Sequence, residues 1–222
     1  RNFSVKKICF LASGNGGNLK FFYFAAAQNS THNFQLAAIA DRECGSLEFS
    51  KNKGLERYII NYNSTNSLEL NLALEKIKPD IIITNWHKII DRDTVRKYMG
   101  KMINLHYSLL PAFAGLIGIE PIKLAYAQGC KYIGPTCHYV DENLDAGKII
   151  SQAIFATDIP IDRAVELMFR KGCLVLLNSV HQLFSSPPAT NKQTLHDPSF
   201  RPPLSFDSSI FSEEFWQYVA NS

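Results

Sequence analysis

The sequence lacks several features that would direct it towards specialised classes of protein. Its five cysteines are dispersed along 222 residues, and no Cys-x-x-Cys pair occurs among them. An odd number of dispersed cysteines argues against a disulfide framework and against a zinc site. It favours buried thiols in a reducing compartment, so we expect neither disulfides nor a bound metal ion. The cysteines are Cys9, Cys44, Cys130, Cys137 and Cys173.

Long hydrophobic runs and strong charge of one sign are missing as well. A membrane-spanning helix needs about 20 consecutive apolar residues, and no segment approaches that length. Residues 1–7 contain no apolar region of the kind found in a signal peptide. The net charge of +3 is too small to argue for nucleic acid, although it is compatible with small anionic ligands. We therefore expect a cytoplasmic protein that binds neither membranes nor nucleic acid.

The first half of the chain alternates between short apolar segments and helix-like segments. Hydrophobic residues make up 46% of the sequence, a balance that suits a closed core. Strands are predicted over residues 7–12, 34–40, 58–60 and 80–84. Strands that alternate with helices predict an α/β fold with a single doubly wound, mainly parallel, Rossmann-like sheet. Such sheets bind ligands beyond the carboxyl ends of their strands.

Two strand-like segments in the second half of the chain flank a short polar loop. They cover residues 132–140 and 148–156, and their spacing predicts a C-terminal antiparallel hairpin added to the sheet. Residues 161–184 then read as one long helix. The second strand has an apolar face, which is compatible with a homodimer and equally with an edge strand packed under the tail.

The composition changes after residue 184, where Pro, Ser, Asn and Asp become frequent. We therefore divide the chain into a main domain, residues 1–184, and an irregular C-terminal tail, residues 185–222. The tail is too short to form a domain of its own. Two of its aromatic residues, Phe215 and Trp216, are expected to pack back on the main domain.

A glycine-rich turn lies between the first predicted strand and the following helix. Backbone N–H groups converge in such a turn and the helix dipole favours negative charge, so it is a candidate anion site, although a plain tight turn would have the same sequence. It is not a dinucleotide fingerprint, because Leu19 stands where the third glycine should be. The turn consists of Ser13, Gly14, Asn15, Gly16, Gly17 and Asn18.

The most informative stretch begins at the end of the predicted strand around residue 103. Side chains alternate along a strand, so Asn104 and His106 point to the same side. Residues 141–147 form a carboxylate-rich loop that can carry Asp145 over this pair. An amide, an imidazole and a carboxylate can stabilise an oxyanion and move a proton during attack on a carbonyl. A hydrogen-bonded pair without catalytic function would have the same local sequence.

Two ordered motifs in this region resemble the signature of the folate-dependent formyltransferase family. Asn-Leu-His-x-Ser-Leu-Leu-Pro-Ala-Phe-x-Gly begins at Asn104, and His-Tyr-Val-x-x-x-Leu-Asp-x-Gly-x-Ile-Ile-x-Gln begins at His138. The similarity is good from Ile81 to Gln152 and looser from Lys6. The resemblance implies that the main domain transfers a formyl group from N10-formyltetrahydrofolate, a cosubstrate, to a primary amine of a small molecule.

The resemblance also implies roles for individual residues. Asn104 would donate a hydrogen bond to the oxyanion, His106 would add positive charge, and Asp145 would orient His106 and accept the proton. His138, by contrast, reads as a satisfied core histidine. The family loop that lines the pteridine pocket through backbone groups corresponds to Trp86, His87, Lys88 and Ile89, with Asp141 and Leu144 contributed by the later loop.

Three departures from the family bear on the amine acceptor. The glycine-rich turn resembles the phosphate loop of glycinamide ribonucleotide transformylase, but Gly17 replaces a serine. The pteridine loop is not of the Met-Arg-Ile-Leu type, and residues 170–173 read Arg-Lys-Gly-Cys where transformylases carry a Gln-x-x-Glu-His segment. The glycine-rich turn still fits a phosphate-bearing acceptor such as glycinamide ribonucleotide. The changed pteridine loop, residues 170–173 and the tail favour instead an amino sugar, free or nucleotide-linked, as the acceptor.

Other members of the family remain open as alternatives. They are glycinamide ribonucleotide formyltransferase of purine synthesis and formyltetrahydrofolate deformylase, although the latter usually carries a preceding regulatory domain. Methionyl-tRNA formyltransferase has a basic C-terminal domain, and nothing after Ser185 is basic enough to serve in its place. A folate-binding module that has lost turnover is the alternative that is not an enzyme.

Overall fold

The computed structural model describes residues 5–29, 32–184 and 197–222. These residues form two compact units. The first unit contains the described residues up to Ile103 together with Phe211–Ser222, and the second contains Asn104–Ile210. The boundary between Ile103 and Asn104 falls inside a β-strand.

The first unit is built on parallel strands in the order β5-β4-β1-β2-β3. In β1 and β2 every residue after the first is buried, which explains their continuous apolar sequences. The last three residues of β5 belong to the second unit. The strands are β1 (Lys7–Ala12), β2 (Gln35–Ala40), β3 (Glu56–Ile59), β4 (Ile81–Asn85) and β5 (Met102–His106).

The helices that connect these strands follow the predicted alternation. They are α1 (Gly17–Gln28), α2 (Gly45–Asn52), α3 (Leu68–Ile77) and α4 (Arg92–Lys97). Helix α4 begins with a side-chain cap, because a carboxylate oxygen of Asp91 accepts a hydrogen bond from the backbone N–H of Thr94 at 2.9 Å.

The second unit contains the predicted hairpin and the predicted long helix. Strand β7 pairs antiparallel with β8, and β10 pairs antiparallel with the other edge of β8. A separate two-stranded antiparallel sheet is formed by β6 and β9. The elements are α5 (Glu120–Ala127), β6 (Tyr132–Ile133), β7 (Thr136–Tyr139), β8 (Ile149–Ala153), β9 (Phe155–Ala156), α6 (Ile161–Phe184) and β10 (Phe200–Arg201).

The fold prediction is confirmed, since the central sheet is mainly parallel, helices surround it and an antiparallel hairpin follows. The structure divides each predicted hairpin strand in two, however. A Cβ atom at Gly134 would lie 1.7 Å from the carbonyl oxygen of Ala153, so the chain at this point approaches its neighbour too closely for a side chain. Strands β6 and β7 therefore pair separately, with β9 and β8 respectively. Among the described residues, no helix is both long and apolar enough to cross a membrane.

The described part of the tail is more regular than the sequence indicates. Besides β10, it contains α7 (Glu213–Asn221), which begins at a side-chain cap formed by Ser212. Within the first unit, Phe215 and Trp216 pack against α1. The ring of Phe21 in α1 stacks on Trp216 at 5.3 Å and meets Phe215 edge-on at 5.9 Å. Residues 185–196 of the predicted tail lie outside the described residues.

We expect Trp216→Ala to lower the free energy of unfolding by about 3–5 kcal/mol, because it removes a large buried ring from this cluster. The exposed neighbour Gln217 in the same helix provides the control variant Gln217→Ala. Urea unfolding followed by circular dichroism measures both. Equal stability of the two variants would contradict the packing described for α7.

Candidate active site

The turn after β5 is held by hydrogen bonds to the hairpin of the second unit. The hydroxyl of Thr136 in β7 donates to the carbonyl oxygen of Ser108 at 2.7 Å and accepts from the N–H of Leu110 at 3.2 Å. It also accepts from the side-chain amide of Gln152 in β8 at 2.9 Å. Thr136 and Gln152 are direct cross-strand partners. The hairpin therefore fixes the end of β5, the strand that carries His106.

Asp145 reaches this strand end from the loop between β7 and β8. Its side chain is 5% exposed, and its Oδ2 atom accepts a hydrogen bond from the backbone N–H of Gly115 at 2.7 Å. The same oxygen lies 3.5 Å from Nδ1 of His106. The other oxygen, Oδ1, lies 3.5 Å from Nε2 of His138. One buried carboxylate is thus bracketed by two imidazoles.

His138 is the site residue that the sequence analysis missed. It is buried, as predicted, but it contacts the carboxylate as well as the core. The register between β7 and β8 shifts between Cys137 and His138. Bulges of this kind re-aim a side chain next to an active site. The motif that begins at His138 was the available signal, because it links this histidine to Asp145 over a fixed spacing.

The hydrogen bonds on the far sides of the two rings indicate where the protons lie. Nε2 of His106 is 2.9 Å from the carbonyl oxygen of Phe113, and Nδ1 of His138 is 2.8 Å from that of Tyr139. A carbonyl oxygen only accepts, so each of these nitrogens carries a hydrogen. In two neutral rings, the remaining nitrogens would turn lone pairs towards the carboxylate. A proton on one imidazole converts that repulsion into a charge-assisted contact.

The electrostatics of Asp145 agree with this assignment. Burial raises its pKa, but the contacts from His138 and the Gly115 N–H, with the charges of both histidines, outweigh burial and hold the pKa below its usual value. Asp145 is therefore the anion of the group.

Asn104 supplies an uncommitted amide on the same strand. It is half-buried, and within the described part of the chain its side chain forms no hydrogen bond. The structure thus places His106, His138 and Asp145 in contact, and Asn104 lies two residues before His106 with a free donor. Such a set can stabilise an oxyanion and transfer a proton. Residues 5–29, 32–184 and 197–222 contain no group of three His, Cys, Asp or Glu side chains placed to hold a metal ion.

The glycine-rich turn of the first unit is packed against the start of α2. Ser46 donates twice to the carbonyl oxygen of Gly14, from its N–H at 3.0 Å and from its hydroxyl at 2.7 Å. Gly16 has a φ of 75°, and a Cβ atom there would meet the Ser46 hydroxyl at 2.6 Å. Helix α1 begins at Gly17 and has no acidic residue in its first turn. The turn thus retains the features of an anion site, with Gly14 and Asn15 exposed.

Two of the four side chains at residues 86–89, in the loop after β4, are engaged inside the first unit. The Trp86 ring is buried with its centroid 4.9 Å from that of Tyr62, and Nζ of Lys88 donates to the Tyr62 carbonyl oxygen at 2.7 Å. His87 and Ile89 are exposed. In the second unit, Leu144 is exposed and Asp141 accepts a hydrogen bond from the Asn143 N–H at 2.8 Å.

A second residue missed by the sequence analysis lies directly after β2. The side chain of Asp41 accepts from the Ser13 hydroxyl at 3.1 Å, from Arg42 at 2.9 and 3.1 Å, and contacts Nζ of Lys88 at 3.2 Å. Hydrogen bonding from Arg42, with smaller contributions from Lys88 and Ser13, outweighs burial and lowers the pKa of Asp41 to about 2. Its position after a buried parallel strand was the available signal.

Residues 170–173 of α6 are also committed to internal contacts. Arg170 donates to Glu166 at 2.6 Å, and Nζ of Lys171 donates to the hydroxyl of Ser199 at 3.1 Å. A Cβ atom at Gly172 would lie 3.0 Å from the side chain of Leu105 in β5, so a small residue allows the helix to approach the strand.

Comparison with known proteins is consistent with this geometry. The sequence model of the family described as formyl transferase matches residues 6–171. The chain is 29% identical over 191 residues to the chloroplastic phosphoribosylglycinamide formyltransferase of Vigna unguiculata, an alignment that covers 81% of this chain and 58% of that protein. It is 39% identical over 87 residues to the formyltetrahydrofolate deformylase of Escherichia coli strain K12, which covers 39% of this chain and 30% of that protein.

Among solved structures, the phosphoribosylglycinamide formyltransferase of Streptococcus pneumoniae TIGR4 is 27% identical and superposes with a TM-score of 0.70, covering 82% of this chain and 100% of that chain. The chain thus spans 58% or less of the length of each curated relative named here. The superposition on the Streptococcus pneumoniae structure, by contrast, covers the whole of that solved chain.

We expect Gly147→Ala to destabilise the protein by about 1–3 kcal/mol through overpacking. A Cβ atom at Gly147 would lie 1.7 Å from the carbonyl oxygen of Tyr139, so the loop that carries Asp145 has to move. Gly14→Ala is the matched control, because nothing lies within 4 Å of a Cβ atom there. Urea unfolding curves for both variants test the expectation, and a Gly147→Ala protein as stable as the control would contradict it.

The depressed pKa of Asp41 predicts a defined pH dependence of stability. A carboxyl group whose pKa falls on folding stabilises the protein above its unfolded pKa of about 3.9. That contribution is lost as the pH falls towards the folded pKa of about 2. The difference in the free energy of unfolding between the wild type and Asp41→Asn should therefore have its full size above pH ~4 and decrease as the pH falls below ~4. Urea titrations across this range measure it, and a difference independent of pH would refute the assignment.

Proposed function

The chain belongs to the formyl transferase family, and on that premise we propose that it transfers a formyl group from N10-formyltetrahydrofolate to the amine of phosphoribosylglycinamide. The observation that carries the proposal is the buried Asp145 carboxylate held between His106 and His138, with the Asn104 amide free on the same strand. The choice of acceptor is supported by the relative aligned over 81% of the chain, a phosphoribosylglycinamide formyltransferase.

This proposal replaces the amino sugar that the sequence analysis favoured as the acceptor. The relatives and the solved structure named above favour phosphoribosylglycinamide or hydrolysis instead. The departures that suggested an amino sugar also carry less weight in the structure. Trp86 and Lys88 direct their side chains to internal partners, so a change of residue type there leaves backbone recognition of a pteridine intact. Lys171 is likewise engaged within the second unit.

In the proposed reaction, the neutral amine attacks the formyl carbon, a C–N bond forms and the carbonyl oxygen becomes an oxyanion. The Asn104 amide donates a hydrogen bond to this oxygen, and protonated His106 places positive charge beside it. Attack leaves the nitrogen cationic and acidic, so that it loses a proton to Asp145, directly or through water. The proton is delivered to N10 of tetrahydrofolate as the C–N10 bond breaks, which completes the proton balance.

His138 supports the chemistry from the other side of the carboxylate. Its contact with Oδ1 favours the anionic form of Asp145, and the Gly115 N–H fixes Oδ2. The carboxylate is thereby kept available as a base and oriented towards His106. Because His138 is also tied to the Tyr139 carbonyl oxygen, its ring is fixed and holds the carboxylate in one orientation.

Substrate binding is assigned to the loops of the first unit and to the Asp145 loop. The N–H groups of residues 13–18 receive the phosphate of the acceptor at the start of α1. The backbone of residues 86–89 receives the pteridine. For Asp141 and the exposed Leu144 of the second unit, we retain the folate-binding role expected from the sequence. We retain residues 1–184 as the catalytic domain, with residues 185–222 as its tail, and we retain a cytoplasmic location and a homodimer as parts of the proposal.

Formyltetrahydrofolate deformylase is the second candidate, favoured by the 39% identity over 87 residues. A deformylase would use the same Asn104, His106 and Asp145 to activate water in place of an amine. The two candidates differ in one observable, because hydrolysis proceeds without an amine acceptor.

The test follows the absorbance of the folate product under three acceptor conditions, with N10-formyltetrahydrofolate present throughout. The conditions are no acceptor, phosphoribosylglycinamide, and a panel of free and nucleotide-linked amino sugars. Turnover that depends on phosphoribosylglycinamide is the expected result. Turnover without an acceptor would assign the protein as a deformylase, and turnover only with a sugar would restore the original prediction. Folate binding without turnover in any condition would favour a binding module.

We expect Asn104→Ala and Asp145→Asn each to lower kcat by about 100-fold or more, because each removes a group required in the transition state. The exposed Asn143 lies in the same loop as Asp145 and gives the control variant Asn143→Ala, which should keep near-normal activity. Circular dichroism checks that all three variants are folded. Near-normal kcat in both site variants would exclude the assigned roles.

A further inference from the structure

A buried carboxylate in the first unit has no part in the proposed chemistry, although several side chains converge on it. The Asp41 side chain is 1% exposed. Its Oδ1 atom accepts from the Ser13 hydroxyl and from Nε of Arg42, both at 3.1 Å. Its Oδ2 atom accepts from Nη2 of Arg42 at 2.9 Å and lies 3.2 Å from Nζ of Lys88. Both oxygens are thus fully engaged.

The partners of Asp41 belong to two different loops. Ser13 opens the glycine-rich turn after β1, and Lys88 lies in the loop after β4. A further contact joins the same loops, since the backbone N–H of His87 donates to the Ser13 hydroxyl at 3.4 Å. Lys88 in turn donates to the carbonyl oxygen of Tyr62, whose ring lies against Trp86. Asp41 therefore lies at the centre of a network that spans both loops.

We infer that Asp41 is a positioning residue that fixes the glycine-rich turn relative to the loop of residues 86–89. The inference rests on the proposed function in one respect, because that function assigns the first loop to the acceptor phosphate and the second to the pteridine. Asp41 touches neither ligand in this account. It acts through Ser13 and Lys88, so its loss weakens the binding of both substrates.

The distribution of charge adds a second consequence for the same site. The single negative charge of Asp41 is buried, whereas the two cations bound to it are partly exposed, at 53% for Arg42 and 34% for Lys88. The cluster as a whole carries a net positive charge next to the glycine-rich turn. Asp41 thus holds two cations close together, an arrangement that favours an anionic ligand at the adjacent turn.

An asparagine at position 41 has the shape of the aspartate but cannot keep these contacts. Its amide offers one acceptor oxygen where the carboxylate offers two, and its NH₂ group faces a cation. The loss of a hydrogen bond to a charged group corresponds to a change of about 10–100-fold in an equilibrium constant. The matched control is Glu56→Gln. Glu56 lies 3.2 Å from Nζ of Lys7, the same distance that separates Asp41 from Nζ of Lys88, but this pair joins the starts of β3 and β1 and not the two loops.

The experiment combines amide hydrogen exchange with steady-state kinetics on the full chain. In Asp41→Asn, we expect exchange of residues 13–18 and 86–89 to accelerate about 10-fold or more. We also expect KM to rise about 10-fold or more for both substrates, while kcat changes less than about 3-fold. Glu56→Gln should change none of these quantities. Unchanged exchange at both loops, or a fall confined to kcat, would overturn the inference.

A second variant keeps the test decisive should Asp41→Asn fail to fold. Lys88→Met removes one partner of Asp41 and leaves Ser13 and Arg42 in place. Because Lys88 acts on the glycine-rich turn through Asp41, exchange of residues 13–18 should still accelerate, and no change there would overturn the inference. Hydrogen exchange needs no turnover, so it tests the role of Asp41 even if the wild-type protein transfers no formyl group. Absence of formyl transfer by the wild type would refute the proposed function but not the role of Asp41.

Discussion

The candidate site depends on the burial of one carboxylate. A carboxylate with 5% of its side chain exposed remains charged only when donors surround it, and the chain supplies the Gly115 N–H and two histidines. Each histidine is anchored by a backbone carbonyl oxygen on its opposite side, so neither ring is free to turn. Asp145 is therefore both the group that has to be stabilised and the group that orders its neighbours.

The backbone around Asp145 holds this carboxylate in its buried position. Gly147 lets the loop of Asp145 close against the carbonyl oxygen of Tyr139, where no side chain fits. Thr136 and Gln152 tie the hairpin to the turn that follows β5. The sequence motif that identifies the family is thus largely a set of positions that hold one anion in place, and few of its residues touch the reacting atoms in the proposed mechanism.

The alternation of strands and helices was predictable because each element depends mainly on its own sequence. The continuous apolar segment at Lys7–Ala12 and the helix at Ile161–Phe184 have the predicted bounds. The division of the hairpin strands at Gly134 was not predictable, since it depends on a close approach to Ala153 across the sheet. Contacts of this kind arise only from the register of strands that are distant in sequence.

The same distinction applies to the site. Asn104, His106 and Asp145 were predicted from motif and spacing, and the structure brings His106 and Asp145 into contact. The contact of His138 with Asp145 depends on a bulge in β7, and the contacts of Asp41 depend on three parallel strands that end side by side. Local sequence marks the two positions, but it does not give these contacts. The amino sugar was favoured because the pteridine loop, residues 170–173 and the tail depart from the transformylases. In the structure, Trp86, Lys88 and Lys171 turn their side chains to internal partners, so these changes of residue type carry little information about the acceptor.

In the proposed reaction, the formyl group passes intact from the folate to the amine of phosphoribosylglycinamide. The most direct measurement supplies N10-formyltetrahydrofolate labelled with ¹³C in the formyl group and follows the carbon by NMR in the presence of that acceptor. We expect the labelled signal to move to a formamide of the ribonucleotide, with no more formate than an enzyme-free control releases. Accumulation of labelled formate as the main product, or a signal that stays on the folate, would contradict it.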